Sequence, residues 1–302
     1  MSVKGGLWMK KKREYSVPIR EQMVPWLFLL PSLLFVSIMV LIPMLDALRR
    51  SFFLAASDRF VGFQNYLAVL RNHAFKLAAA NTAKFILVCI PLLLLFSLAV
   101  SLMLASFREK RGIFKTSFLV PMAVPVASIV LLWRVIFHKN GLLNAFTALW
   151  GLVPVDWIGS KAAFGVLVFA YLWKNFGYDM VLWLSGLSAI NPALYEAAQI
   201  DGARPWQSFY YVTVPHIKMV VGLLVVLRTV WIFNNFDLIY LITGGGPAGT
   251  TQTIPLYAYN MGWSTKLIGR SSAVTVLLFI FLMIICGIYF AVINKWEKED
   301  SK

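Results

Sequence analysis

Runs of apolar residues long enough to cross a lipid bilayer recur along this 302-residue chain. A helix crosses the hydrocarbon core with about 20 consecutive apolar residues. Four runs carry no charge, and two more carry charges in their interior, Lys174 and Asp179 in one and Arg228 and Asp237 in the other. The pattern predicts an all-α, polytopic membrane protein with six transmembrane helices. In chain order the predicted spans are Val24–Leu45, Phe85–Phe107, Thr116–Trp133, Ala162–Ile190, His216–Ile242 and Ser271–Ile293.

The composition excludes two other classes of chain. Hydrophobic residues make up 60% of the sequence and charged residues 14%, whereas soluble globular proteins have about 45–50% and about 25%. A cytosolic globular enzyme is therefore excluded, and so is a disordered chain, which needs low hydrophobicity and high charge. The net charge of +15 is compatible with nucleic-acid binding. In a membrane chain it is more typical of loops beside anionic cytoplasmic lipid, so a lipid bilayer and no nucleic acid are predicted.

Lysine and arginine collect on one side of the predicted spans, which sets the orientation in the membrane. Fifteen lie on the side predicted to be cytoplasmic and nine on the other, so both termini are predicted to be cytoplasmic. The basic start also resembles a signal peptide, whose apolar core has about 7–15 residues. The first run has 22 and no small-x-small cleavage site, so a retained span is predicted. The fifteen residues are Lys4, Lys10, Lys11, Lys12, Arg13, Arg20, Arg108, Lys110, Arg111, Lys115, Arg204, Lys218, Lys295, Lys298 and Lys302.

The sequence lacks the motifs of the common catalytic and nucleotide-binding sites. The P-loop pattern needs a Gly-Lys pair, and the chain contains none. Its three histidines are isolated from one another and from the two cysteines, and no GxSxG nucleophile motif occurs. We therefore predict no catalytic residues, no metal site and no cofactor held by this chain.

The loop after the fourth predicted span reads as a helix-turn-helix outside the bilayer. Asn191 is a good N-cap and Pro192 suits the first helical position. Gly202 then provides a left-handed C-cap after a helix over Ala193–Asp201. A second short helix starts at Pro205 and is predicted to break before Pro215.

This loop is rich in apolar and aromatic residues, which a solvated loop would not carry. Its surface indicates either a protein partner or an amphipathic segment at headgroup level. Composition alone does not separate these two interpretations. The residues concerned are Leu194, Tyr195, Ile200, Trp206, Phe209, Tyr210 and Tyr211.

The spacing of residues in this loop resembles the EAA loop of permease subunits in binding-protein-dependent ABC importers. That pattern, EAA-x3-G-x9-I-x-L-P, is matched within residues 191–215, with valine in place of the isoleucine and the leucine. The segment EAAQIDGA is closer to the carbohydrate-uptake branch than to the amino-acid or metal branches. The similarity covers the chain from about residue 77 onward and includes Pro121–Pro125, Asn234–Phe236 and Gly244–Pro247.

The resemblance implies a type I ABC importer permease over residues 77–302, preceded by a cytoplasmic N-terminus, a first transmembrane helix and an external loop over residues 1–76. It implies that the EAA loop forms a cytoplasmic coupling helix in a cleft of a separate ATPase subunit dimer, which uses the ATP and Mg²⁺. The other implied partners are a second homologous permease subunit, an extracytoplasmic solute-binding protein and a carbohydrate. The residues implied for coupling are Glu196, Ala197, Ala198, Asp201, Gly202, Ala203 and Pro215.

Ionisable residues inside the fourth and fifth predicted spans suggest a substrate path, because charge within a membrane span is costly and faces a cavity. Arg228, Trp231 and Asn235 stand at i, i+3 and i+7, on one helical stripe. In the fourth span, Lys174 and Tyr178 continue such a stripe from Tyr171, with Asn175 and Asp179 beside it. Aromatic faces interleaved with polar groups suit a sugar. The alternative is that Lys174 and Arg228 snorkel or pair with carboxylates and merely orient the helices.

The resemblance supports part of this pocket. In maltose-type permeases the sugar contacts match Tyr178 and Asn235, and an aromatic residue before the second asparagine matches Trp231. Together with Asn175, Lys174 and Arg228 these form the predicted substrate-binding set. Arg228 and Asp237 replace smaller or apolar residues, which leaves an anionic saccharide or glycerol phosphate open. A stand-alone secondary transporter and a membrane-embedded enzyme are the other classes considered, and the EAA loop argues against the first of these.

Overall fold

A computed structural model of the chain describes residues 19–54, 58–106 and 111–300. Eight of the fifteen basic residues that are predicted to be cytoplasmic lie outside the described residues. They are Lys4, Lys10, Lys11, Lys12, Arg13, Arg108, Lys110 and Lys302. The helices are α1 (Ile19–Val36), α2 (Ile42–Arg50), α3 (Gln64–Arg71), α4 (His73–Ser106), α5 (Arg111–Ala123), α6 (Val126–Ile136), α7 (Leu142–Ala148), α8 (Ala163–Ser188), α9 (Pro192–Ile200), α10 (Pro205–Ser208), α11 (Val214–Phe233), α12 (Asp237–Thr243), α13 (Ile254–Tyr259) and α14 (Ile268–Asp300).

Three π-helical segments and one small hairpin complete the described structure. The π segments are Ser37–Leu41, Phe209–Thr213 and Asn260–Ser264. Strands β1 (Phe53–Leu54) and β2 (Arg59–Phe60) pair antiparallel. The fold is thus almost entirely helical, as the apolar runs predicted.

The chain forms two compact units, one ending at Arg49 and one beginning at Arg50. The predicted division after residue 76 stays a prediction, and the described residues between 50 and 76 belong to the second unit. The physical reason is local packing, because the Asn65 side chain donates to the Ser51 and Phe53 carbonyls, each at 2.9 Å. The backbone of α14 also approaches closely here, and a Cβ at Gly269 would lie 2.2 Å from the Phe53 oxygen.

Four described helices are long and apolar enough to cross a membrane: Pro25–Arg50, His73–Ala105, Pro205–Phe233 and Ile268–Trp296. The pair Gly112–Ala123 and Val126–Ile136 would add a fifth span if it is one broken crossing. Helix α8 has 26 residues, which is about 39 Å at 1.5 Å per residue, but it carries Lys174 and Asp179 in its interior and is not among these four helices. The count of six spans remains a prediction.

The third predicted span, Thr116–Trp133, is not one continuous helix. α5 and α6 meet at an angle of 91° across Val124 and Pro125. Proline lacks an N–H and disfavours the helical conformation in the residue before it. Pro125 has an extended conformation, with φ −57° and ψ 143°, so the predicted third span corresponds to a bent pair of helices and not to one helix.

The fifth predicted span, His216–Ile242, was wrong at both ends. No break precedes Pro215, because Pro205–Phe233 is one helix in which the π segment lies directly before this proline. The π turn closes with the Val214 N–H donating to the Phe209 carbonyl. At the other end the helix stops at Phe233, and α12 begins only at Asp237, so a short irregular segment interrupts the predicted span.

Helix α8 packs tightly against α4 and α5 in the core of the second unit. Trp183 Nε1 donates to Ser97 Oγ at 3.0 Å and Ser101 Oγ donates to the Met180 carbonyl at 3.1 Å, so buried hydroxyls join α4 to α8. Against α5 the contact depends on Gly177, where a Cβ would lie 2.2 Å from the Phe118 oxygen. This close approach fixes α8, which carries much of the candidate site.

We expect Gly177→Val to destabilise the fold, because the new side chain collides with backbone and forces α5 and α8 apart. Overpacking of this kind costs about 1–3 kcal/mol. The thermal unfolding temperature of the purified complex in detergent measures the effect. Gly165→Val is the matched control on the same helix, since a Cβ there meets nothing within 4 Å. Equal unfolding temperatures for the two variants would contradict the close contact.

Candidate functional site

A fully buried ion pair joins the middle of α8 to α11. Arg228 Nε donates to Asp179 Oδ1 and Oδ2 at 2.7 and 3.0 Å, and its Nη2 donates to Oδ1 at 2.5 Å. The same guanidinium donates to Asn175 Oδ1 at 3.0 Å and to the Asn175 carbonyl at 2.9 Å. Arg228 and Asp179 are both 0% exposed. The charge of Arg228 is therefore neutralised within the protein.

Two aromatic side chains lie beside this pair. The ring centroids of Tyr178 and Trp231 are 4.9 Å apart. Arg228 Cζ lies 5.4 Å from the Tyr178 centroid and 4.7 Å from the Trp231 centroid, within the range of cation–π attraction. Arg228 thus contacts the rings of both Trp231 and Tyr178.

A cavity of about 180 Å³ adjoins Trp231 where α11 ends. Asn235 lies in the irregular segment between α11 and α12, and its Nδ2 is buried without a hydrogen-bond partner among the described residues. Tyr171 Oη is buried and unpartnered in the same way. Leaving a buried polar atom unpaired costs about 1–3 kcal/mol. The lining residues are Val126, Tyr171, Lys174, Asn175, Trp231, Asn234, Asn235, Asp237 and Leu238.

Lys174 connects the cavity to the break between α5 and α6. Its Nζ donates to the Val124 carbonyl at 2.9 Å, an oxygen that the turn at Pro125 releases from the helical pattern. Irregular backbone at membrane depth occurs where it is buried in protein or lines a cavity. Val126 and Asn235, next to the two breaks, both line this cavity, which is therefore built between two interrupted helices.

Four of the nine residues that line the cavity belong to the predicted substrate-binding set, and the breaks in the helices that build the cavity were not predicted. These four are Lys174, Asn175, Trp231 and Asn235. The predicted residue Tyr178 contacts Trp231 but does not line the cavity. Arg228 does not line it, and its contact with Asp179 agrees with the alternative in which it pairs with a carboxylate. Asn235 is not on a helical stripe with Arg228, because the helix has ended. The predicted set omits five lining residues: Val126, Tyr171, Asn234, Asp237 and Leu238. Three of them carried a signal in the sequence, Tyr171 through the aromatic stripe, Asn234 through the Asn234–Phe236 motif and Asp237 through its charge inside a predicted span.

The second candidate region is the loop between α8 and α11. Asn191 Oδ1 accepts from the Ala193 N–H at 3.1 Å, the predicted N-cap. Gly202 has φ +75° and the Ala203 N–H donates to the Ala198 carbonyl at 2.9 Å, with Gly202 N–H donating to Gln199. These two bonds form a Schellman motif, so the predicted left-handed cap is confirmed.

The outer surface of this loop is exposed and largely apolar. Ile200 is 87% exposed, and Trp206, Tyr210 and Tyr211 are each above 60%. The side chain of Glu196 is exposed and has no hydrogen-bond or ion-pair partner among the described residues. In contrast, Tyr195 points inward, and its Oη lies 2.9 Å from Thr213 Oγ1. The loop is thus fixed from within while it offers aromatic rings and a carboxylate outward.

Comparison with known proteins decides the family. Residues 97–297 match the family described as binding-protein-dependent transport system inner membrane component. The chain belongs to this family. The matched residues include the exposed loop and the residues on both sides of the cavity, so the permease carries both candidate regions within its family domain.

Named relatives and a solved structure agree with this assignment. The permease is 33% identical over 279 residues to the trehalose/maltose transport system permease protein MalF of Thermococcus litoralis, covering 90% of this chain and 94% of the relative. It is 29% identical to the sn-glycerol-3-phosphate transport system permease protein UgpA of Agrobacterium fabrum, covering 93% and 98%. Its fold matches a bacterial ABC transporter for the acidic polysaccharide alginate, with a TM-score of 0.81, 23% identity and coverage of 92% and 97%.

Proposed function

We propose that this permease is one membrane subunit of an ATP-driven, binding-protein-dependent importer that carries a neutral carbohydrate across the cytoplasmic membrane. Its family supplies the transport class. The sugar class is supported by relatives named for trehalose/maltose and lactose transport. The lactose permease LacF of Rhizobium radiobacter is 30% identical and covers 78% of this chain.

The observation that carries the substrate class is the pair of unpaired polar atoms beside an aromatic ring. Tyr171 Oη and Asn235 Nδ2 are buried without partners among the described residues, and Trp231 lies in the same cavity wall. Sugars present hydroxyl groups at their rims and CH faces that pack on aromatic rings. Convergent polar groups in a partly apolar cavity provide specificity of this kind.

The charges around the cavity favour a neutral substrate over an anionic one. Arg228 is neutralised by Asp179 at 2.5–3.0 Å, so it offers no free positive charge. Of the two charged residues in the lining, Lys174 is basic and Asp237 is acidic, which balances the wall. An anionic saccharide or glycerol phosphate is the second candidate, because Lys174 lines the cavity and one relative is named for glycerol-3-phosphate transport.

The exposed loop supports coupling to a separate ATPase. Its outward Glu196, Ile200 and Trp206 offer a carboxylate and apolar area that isolated soluble loops do not keep. We infer that α9 is the cytoplasmic coupling helix and that Glu196, Ala197, Ala198, Asp201, Gly202, Ala203 and Pro215 form its docking segment. The complete importer then comprises this chain, a second homologous permease, an ATPase dimer that binds ATP and Mg²⁺, and an extracytoplasmic solute-binding protein. In it this chain has six spans and both termini in the cytoplasm.

We expect Asn235→Ala to reduce uptake about tenfold or more, because a hydrogen bond to substrate is lost in a buried site. Basal ATPase activity of the complex should remain, since the coupling loop is unchanged. Asn294→Ala, on the exposed surface of α14, is the control. Initial uptake rates in proteoliposomes measure the effect, and unchanged uptake by Asn235→Ala would contradict the cavity assignment.

Competition experiments distinguish the two substrate classes. Trehalose, maltose and lactose are tested as competitors of uptake against glycerol 3-phosphate and an acidic saccharide. Inhibition by neutral sugars alone is the expected result. Inhibition by the anionic compounds, together with its loss in Lys174→Gln, would instead favour the second candidate.

A further inference from the structure

A second, larger cavity of about 890 Å³ lies at the end of α6 and is separate from the substrate cavity. Its rim is basic, with Arg134, His138 and Lys139, and Asp156 is the acidic residue in its lining. The Asp156 carboxylate already accepts the Gly159 N–H at 2.9 Å. Arg134 and Lys139 have no ion-pair partner among the described residues, so the rim keeps a net positive charge.

The wall of this cavity changes from apolar to basic toward the end of α6. Leu131, Arg134 and Val135 stand at i, i+3 and i+4 on one face of α6, and His138 follows just after the last helical residue, Ile136. All four line the cavity. Leu131 and Val135 are 65% and 61% exposed. On a membrane protein, an apolar surface that ends in basic residues is complementary to a molecule with an acyl chain and a negatively charged headgroup.

The rim is held rigidly rather than being a chance meeting of surface side chains. Gly141 turns the chain back so tightly that a Cβ there would lie 2.2 Å from the Val135 oxygen. Asn144 then fixes the turn, since its Nδ2 donates to the carbonyls of Lys139 and Val155 at 2.8 and 2.7 Å. Trp157 Nε1 donates to the Asn144 Oδ1 at 2.9 Å. The backbone that carries Lys139 is therefore preorganised.

We propose that this cavity binds an anionic phospholipid of the surrounding bilayer. The phosphate lies at Arg134, His138 and Lys139, and one acyl chain lies along Leu131 and Val135. His138 is a suitable donor, because its Nδ1 accepts the Asn140 N–H at 3.2 Å and a neutral ring then carries its proton on Nε2.

The test uses the complete importer, delipidated in detergent and titrated with phosphatidylglycerol or with phosphatidylcholine. We expect phosphatidylglycerol to raise the unfolding temperature and to remain bound in native mass spectra. The double variant Arg134→Gln/Lys139→Gln should weaken the phosphatidylglycerol response roughly tenfold or more, because each basic group near an anionic headgroup contributes substantially to binding. Its response to phosphatidylcholine should equal that of the wild type.

Arg71→Gln/Lys76→Gln is the matched control, because it removes the same charge from exposed positions outside the cavity. An equal loss in this control would show a general charge effect and overturn the proposal. So would an unchanged lipid response combined with loss of ATPase stimulation by the binding protein, which would assign the surface to that protein. If the double variant does not fold, Arg134→Lys/Lys139→Arg replaces it and must keep the phosphatidylglycerol response, or the proposal fails.

Discussion

Gly202→Val in the loop after α8 is expected to abolish uptake while the permease remains in the membrane. Gly202 has φ +75°, a conformation that costs about 1–2 kcal/mol for residues with a Cβ and more for a β-branched one. The Schellman motif would open, and α9 would lose the orientation that Gly202 gives it. Since a Cβ at Gly202 meets nothing within 4 Å, the effect is conformational and the core stays intact.

The measurement is ATPase activity of the reconstituted complex with and without loaded binding protein. Stimulation should disappear in Gly202→Val and in Glu196→Lys, which reverses an exposed charge with no partner among the described residues. Gly165→Val controls for adding the same side chain at a glycine with ordinary backbone and open space. Normal stimulation in both loop variants would rule out α9 as the coupling helix.

Asp179→Ala is expected to produce the largest loss of stability of any single change in the site. It leaves the guanidinium of Arg228, which is fully buried, without its counter-charge. Breaking a buried ion pair by removing one partner costs about 3–5 kcal/mol, whereas replacing both partners by apolar residues is often neutral. The double variant Asp179→Leu/Arg228→Met should therefore unfold at a higher temperature than Asp179→Ala.

This comparison also separates a structural arginine from a substrate-binding one. If the pair only joins α8 to α11, the double variant regains stability and keeps much of its uptake. If Arg228 binds an anionic substrate, the double variant regains stability but transports nothing. Equal stability of Asp179→Ala and the wild type would show that the pair observed at 2.5–3.0 Å is not formed in the membrane.

Local features of the fold were predictable where a residue type dictates backbone geometry. Asn191 as N-cap and Gly202 as left-handed cap both appear as expected, because each depends on a few neighbouring atoms. The same local logic failed at Pro215, where a π turn accommodates the proline within one helix. A proline in a sequence restricts the backbone, but it does not predict whether the preceding turn can widen into a π-helical turn.

The substrate cavity was predictable in its residue types but not in its geometry. Apolar residues lie on both sides of Pro125 and of the polar segment Asn234–Asp237, so apolar length alone predicted continuous spans where the helices are broken. The pairing of Arg228 with Asp179 joins residues 49 positions apart, and only tertiary packing reveals it. Arg228 belongs to the predicted substrate-binding set, and in the structure Asp179 neutralises its charge.

The most direct test of the transport assignment is uptake of a radiolabelled neutral disaccharide into proteoliposomes that contain the complete importer. The predicted result is uptake that requires ATP on the ATPase side and loaded binding protein on the other, and that fails in Gly202→Val. Uptake by this permease without ATP, or without the ATPase subunits, would contradict the account.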